Sequence, residues 1–242
     1  MTNSTMPEGR LVAIDGVALS VDTDDHPWHA ANREAVDRHW EMERVQRPFL
    51  FNGTVMMHRG LGLKDGRVEG VSHAVPYANL MYFLSRPQRD GDIWHLFGTP
   101  VIISSDNAVV LTKMSERTAN PGRIYSPSGS LDLSDIRDGA CDLAGNMRRE
   151  VAEEADLDLD AARADRGMFF YHSRRIVAAF RCFRFDEDSR DIAARIDAHI
   201  ATQDDPEVVA AVVVRSPDDI VEAMPDYMAA MVRHHFANPA GG

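Results

Sequence analysis

The sequence predicts an α/β protein with a mixed sheet packed between helices, and three observations carry that expectation. Short β-branched runs recur at residues 99–105, 108–112 and 208–214. Residues 141–156 carry Leu143, Ala144, Met147 and Val151 at helical spacing, continued by Leu157. Strand-like and helix-like stretches alternate along the chain, the order in which helices come to cover a sheet.

Taken in order, residues 11–22 read as a hairpin turning at Asp15-Gly16. Asp25 can cap a helix over residues 28–44, with Pro27 just inside its start and Trp28, His29, Ala35, Trp40 and Met42 on its apolar face. Residues 54–74 form a second hairpin turning at residues 64–67, and residues 77–85 a short apolar helix or strand. The polar stretch at residues 86–91 marks a boundary. It divides an N-terminal α+β extension, residues 1–90, from a domain over residues 91–242. In that domain a hairpin turns at Asp106-Asn107, a loop carries Gly129, and a helix spans residues 141–156. Strands at residues 168–171 and 176–185 follow, then a helix at 192–200, a buried strand at 208–214, and helices broken at Pro225.

The most informative segment is Arg149-Glu150-Val151-Ala152-Glu153-Glu154. Three- and four-residue steps share a helix face, so the three glutamates point roughly the same way. Like charges this close repel, and a hard divalent cation such as Mg²⁺ turns that repulsion into attraction. Arg149 can pin one or two of these carboxylates with its planar fork. Taken alone, the same string also reads as a solvated helix face.

This string resembles the core of the Nudix box, the signature of Nudix hydrolases. The family pattern runs Gly, five residues, Glu, seven residues, then Arg-Glu-apolar-x-Glu-Glu-x-Gly-apolar. The second half matches at Arg149, Glu150, Val151, Glu153, Glu154 and Leu157, with Asp156 in place of the glycine. The first half departs: eight residues before Arg149 stands Cys141, not Glu, and the stretch from Gly129 is several residues too long. Asp138 or Asp142 lies where a substitute carboxylate could stand. Residues 47–54 and 92–100 are similar to a subgroup with an N-terminal extension that includes UDP-glucose diphosphatases. That extension either adds a stabilising layer or helps to bind substrate.

The resemblance implies a Nudix-type α/β/α sandwich that hydrolyses a diphosphate bond in a nucleoside diphosphate linked to another moiety. A UDP-sugar is favoured over ADP-ribose or a dinucleotide. It implies Mg²⁺ or Mn²⁺ held by Glu150, Glu153 and Glu154, Arg149 orienting them, and Gly129 lining the diphosphate. Glu154 or a downstream carboxylate acts as base, Glu207 first and Asp205 second. Arg123, Tyr125 and Arg117 are candidates for substrate contact, and Phe51, Tyr82 and Phe97 for stacking on a base or packing in the core. The alternative is a catalytically weak or inactive Nudix-fold module that binds nucleotide.

Composition narrows the classes. The chain has 242 residues, a formal charge of −12, 44% hydrophobic and 26% charged residues. That charge argues against a nucleic acid polymer as partner, because such binding rests on Lys and Arg neutralising phosphates. It leaves room for a small phosphorylated ligand. The first ten residues lack the apolar core of a signal peptide, and no run is long enough to span a membrane. Cys141 and Cys182 give neither a disulfide framework nor metal-ligand spacing. The expectation is a soluble cytoplasmic protein with no membrane partner, whose extension could mediate a homodimer.

Overall fold

The computed structural model describes residues 6–89 and 91–238. Met1 to Thr5, Asp90 and residues 239–242 lie outside the described residues, and with them part of the chain start and of the boundary at 86–91. The chain runs β1 (Leu11–Ile14), β2 (Gly16–Asp22), α1 (Pro27–Gln46), β3 (Thr54–Lys64), β4 (Arg67–Pro76) and α2 (Tyr77–Ser85). It continues through β5 (His95–Ile103), β6 (Val109–Met114), β7 (Ile124–Tyr125), β8 (Ile136–Arg137), β9 (Ala140–Cys141) and α3 (Leu143–Ala155). The last part holds β10 (Arg163–Ser173), β11 (Ile176–Arg184), α4 (Ser189–Ile200), β12 (Val208–Val214) and α5 (Asp226–Ala237).

Among the described residues the strands form two mixed sheets. The larger has the order β1-β10-β11-β5-β6-β12, with β7 beside β6, and the smaller β3-β4-β2-β9-β8. Each contains one parallel pair, β11 with β5 and β2 with β4. β5 is buried along its whole length, as a central strand covered on both faces must be. Its alternation sorts the core. Leu96 and Ile102 meet Leu143, Met147 and Val151 of α3 and Ile192 and Ile196 of α4. Phe97, Val101 and Ile103 meet Met228, Met231 and Val232 of α5 on the other face. A mixed sheet lies between helices, as the alternating pattern predicts.

The N-terminal part is interleaved with the rest. β1 sits at the edge of the larger sheet on β10, while the hairpin β8–β9 extends the smaller sheet by pairing with β2. The long insertion after Gly129 is thus anchored rather than free. α1 and α2 pack on each other through Val36, Trp40, Ala78 and Met81.

Several local expectations are corrected. Residues 11–22 are two strands in different sheets, because the single intervening residue, Asp15, cannot turn a hairpin and instead bonds its N–H to the Gly66 carbonyl. The cap of α1 is His26, whose Nδ1 accepts from the Trp28 N–H; Asp25 pairs with Arg33 instead. Met42 of α1 is exposed. β12 is an edge strand buried only at Val208 and Val214, although its apolar run reads as buried. The hairpin turn before β4 agrees with its sequence: Asp65 and Gly66 both take positive φ, as a two-residue turn of this kind requires.

Candidate active site

Helix α3 carries the site, and its sequence sets both ends. Asp142 accepts the Gly145 N–H at the N-terminus. Asp156 takes the left-handed cap with φ 53, a conformation Asp tolerates better than most residues. Leu143, Met147 and Val151 anchor the helix on the sheet. With that face fixed, Glu150 and Glu154, four residues apart, both turn inward and are buried. Glu153 turns outward, its side chain 60% exposed. The expected common face of all three glutamates is therefore divided, since Glu153 and Glu154 flank Glu150 about 100° apart around the axis.

Arg149 ties the cluster together. Its Nη1 lies 2.8 Å from Glu150 Oε1 and 3.3 Å from Glu153 Oε2, and its Nη2 3.0 Å from Asp135 Oδ2. Asp135 is buried and also accepts from Asn146 Nδ2 at 3.1 Å. Asp135, rather than Asp138 or Asp142, is thus the carboxylate before α3 that meets Arg149. Asp138 instead occupies the β8–β9 turn with φ 51, and Asp142 caps α3. Burial lowers the Arg149 pKa, but the Asp135 hydrogen bond and the charges of Glu150, Asp135 and Asp132 outweigh it and leave it raised.

The backbone approaches these carboxylates closely. A Cβ at Gly129 would stand 2.4–2.5 Å from the Glu150 carboxylate, so a side chain there requires that carboxylate to shift. The loop is held by a bridge between Ser130 and Phe97 and by a 3.0 Å hydrogen bond between Ser130 Oγ and His95 Nε2. Burial pushes His95 down to about 3, so it stays neutral.

Burial is also the main force on the glutamates. It raises Glu150 to about 7, opposed by Arg149 and reinforced by Glu153 and Glu207. Glu154 is raised well above the usual carboxylate range, by burial first and then by Glu150 and Glu207, with the Ser128 backbone N–H pulling it back. Glu154 Oε2 has no hydrogen-bond partner. Two inward carboxylates, one with an orphaned oxygen, beside Gly129 fit a hard divalent cation. Among the described residues no three or more His, Cys, Asp or Glu form a ready-made cage. Mg²⁺ typically needs only one or two protein carboxylates, taking waters and substrate phosphates as its other ligands.

The carboxylates lie in a cleft of ≈ 610 Å³ that also takes in Gly129, Tyr125 and Glu207. Glu207 faces α3 from the turn before β12, whereas Asp205 pairs with Arg117 at 3.3 Å. Tyr125 is buried and accepts from Asn120 Nδ2 at 3.3 Å. Arg123 does not line the cleft: its guanidinium donates to the Glu222 carbonyl at 3.2 Å. Phe97 lines the wall, while Tyr82 packs on Trp28 outside the cleft. The N-terminal part also lines the cleft, with Phe49, Phe51, Thr54, Tyr77 and Leu80.

No family model matches the chain, and no curated protein matches it. Solved structures do. A MutT protein from Methanosarcina mazei Go1 aligns over 61% of this chain and 96% of its own, at 16% identity and TM-score 0.42. DR0079 from Deinococcus radiodurans aligns over 69% of this chain and 85% of its own, at 13% identity and TM-score 0.38. Scores this low decide nothing about family or activity, so the function is read from the cleft itself. No helix among the described residues is long and apolar enough to cross a membrane.

Proposed function

We propose that this chain is a metal-dependent hydrolase of the Nudix type, cleaving a diphosphate bond in a nucleoside diphosphate linked to another moiety. The observation that carries the reading is the pair of buried carboxylates, Glu150 and Glu154, with Gly129 of the neighbouring loop close against Glu150. Glu150 and Glu154 would hold Mg²⁺ or Mn²⁺, with Glu153 the outer member of the set. When bound, the ion supplies charge neutralisation on the diphosphate and lowers the pKa of its water. Arg149, braced by Asp135, orients Glu150 and touches no substrate. The Gly129 backbone lies along the diphosphate. Glu207, in the turn before β12 and lining the same cleft, accepts the proton of the attacking water. Water adds to one phosphorus, the bridging oxygen leaves with the other, and a mononucleotide is released. Among substrates a UDP-sugar is favoured by the likeness of the extension.

The test is a panel of UDP-glucose, ADP-ribose and a dinucleoside diphosphate with Mg²⁺, followed for mononucleotide release. Glu150→Gln and Glu154→Gln should each lose orders of magnitude in kcat. Absence of release from the whole panel, or unchanged turnover in both variants, rules the proposal out. A second reading, nucleotide binding without hydrolysis, is favoured by the outward turn of Glu153. It calls for nucleotide binding that needs no metal and no turnover under any condition.

A further inference from the structure

Three histidines of the N-terminal part are buried together: His26 before α1, His58 in β3 and His73 in β4, none more than 1% exposed. The His26 and His73 rings meet edge to face, with 5.0 Å between centroids. Their hydrogen bonds fix where the protons sit, because an amide or guanidinium N–H can only donate. His26 Nδ1 accepts the Trp28 N–H at 3.1 Å, so its proton is on Nε2, which donates to the His58 carbonyl at 3.4 Å. His73 Nε2 accepts from Arg59 Nε at 2.8 Å, and its Nδ1 donates to the Asp24 carbonyl at 2.8 Å. His58 Nε2 donates to the Leu96 carbonyl at 3.3 Å, and its Nδ1 accepts from the Ser72 hydroxyl at 2.8 Å. A second proton on His26 or His73 would point straight at an N–H.

The surroundings do little to welcome that proton. Arg59, paired with Asp22 at 3.2 Å, faces the cluster together with Asp92 and His95, and Cys141 lies beyond Ser72. Asp25, next to His26 in the chain, pairs with Arg33 instead. Among the described residues no carboxylate bonds a ring nitrogen of the three.

The cluster sits on the seam between the two sheets. His58 and Trp94 exchange backbone hydrogen bonds at 2.8 and 2.9 Å, tying β3 to the start of β5. Two residues earlier, the Met56 N–H donates at 2.8 Å to the carbonyl of Leu131, in the loop that carries Gly129.

We propose that these histidines make the seam acid-sensitive, so that protonation frees β3 from β5 and from the Gly129 loop before the larger sheet unfolds. Burial pushes His26 and His58 down to about 4, from an ordinary 6.5. Depressed in this way, each stabilises the closed seam above pH 6.5, and that contribution is lost as pH falls from 6.5 towards 4. At pH 4.5 each histidine released to solvent favours opening roughly fifty-fold.

The experiment is amide hydrogen exchange, read by mass spectrometry, on the full metal-free chain at pH 7.5 and pH 4.5, corrected for intrinsic exchange. Wild type is compared with His26→Asn, which keeps a side-chain acceptor for the Trp28 N–H, and with His58→Gln. In wild type, acid should cut the protection of β3 about ten-fold or more beyond that of β11, a central strand of the larger sheet. His26→Asn should shrink that excess about five-fold or more. His58→Gln should act the same way, and should it fail to fold, His26→Asn decides. Equal loss of protection in β3 and β11, or an excess that His26→Asn retains in full, overturns the proposal. Neither metal nor turnover enters the readout, so its failure leaves the hydrolase reading standing.

Discussion

Replacing Gly129 by alanine probes the tightest contact in the site. The new methyl would sit 2.4–2.5 Å from three atoms of the Glu150 carboxylate, against an ordinary contact of 3.4 Å or more. Loop or carboxylate must therefore move by about 1 Å, roughly the difference between those distances. Neither gives easily. Glu150 is held by Arg149 at 2.8 Å, and the loop by Phe97 and His95. Overpacking of this kind costs about 1–3 kcal/mol, a fall of several degrees in Tm for a chain this size. A 1 Å displacement of a catalytic group is expected to lower kcat about a hundred-fold. The assay is paired: thermal unfolding without metal, and mononucleotide release with Mg²⁺. Gly167→Ala is the control, since no atom lies within 4 Å of its added Cβ. A Gly129→Ala protein as stable and active as the Gly167→Ala control refutes both the close approach and its role.

Glu154→Gln should raise Tm in metal-free buffer at pH 8, because it removes a buried carboxyl whose ionisation burial opposes and one of whose oxygens has no partner, while turnover collapses. Unchanged or lower stability contradicts that electrostatic reading. Asp135→Asn leaves Arg149 facing an amide in place of a buried carboxylate 3.0 Å away. It should cost about 3 kcal/mol by urea unfolding and about ten-fold or more in metal affinity or kcat, effects an ornamental ion pair would not show. The pH dependence has a definite sign. Glu150 titrates near 7 when folded, above its ordinary value of 4.5, so its contribution is fully present below about 4.5 and is lost as pH rises through 7. Metal-free wild type should lose stability relative to Glu150→Gln across that window, by at most roughly 3 kcal/mol. A flat difference removes the case for a shifted Glu150.

The parts legible in the sequence are those fixed by local chemistry. Helix α3 is written in the spacing of Leu143, Met147 and Val151, so its extent could be read from the chain to within two residues, whereas the outward turn of Glu153 and the capping role of Asp142 could not. The turn at Asp65-Gly66 is equally local. What depends on distant partners was not legible. Asp135 reaches Arg149 only because the insertion folds back as β8–β9 on β2; its sole local sign is the Asp132-to-Asp135 capping box. β1 leaves β2 for β10 because of pairing 150 residues and more away, which periodicity does not record. Arg123 follows the same rule: a cation near a glycine loop suggests phosphate, while the fold has its guanidinium donating to the Glu222 carbonyl, 99 residues on. That residues of the extension line the same cleft as the carboxylates is a tertiary fact with no motif to announce it.

The most direct measurement is anomalous scattering from a crystal of the full chain soaked in Mn²⁺. A peak within bonding distance of Glu150 and Glu154, on the Gly129 side of α3, is the expected result. Manganese bound only elsewhere, or these two carboxylates left uncoordinated at saturating metal, contradicts the claim that they exist to hold a divalent ion.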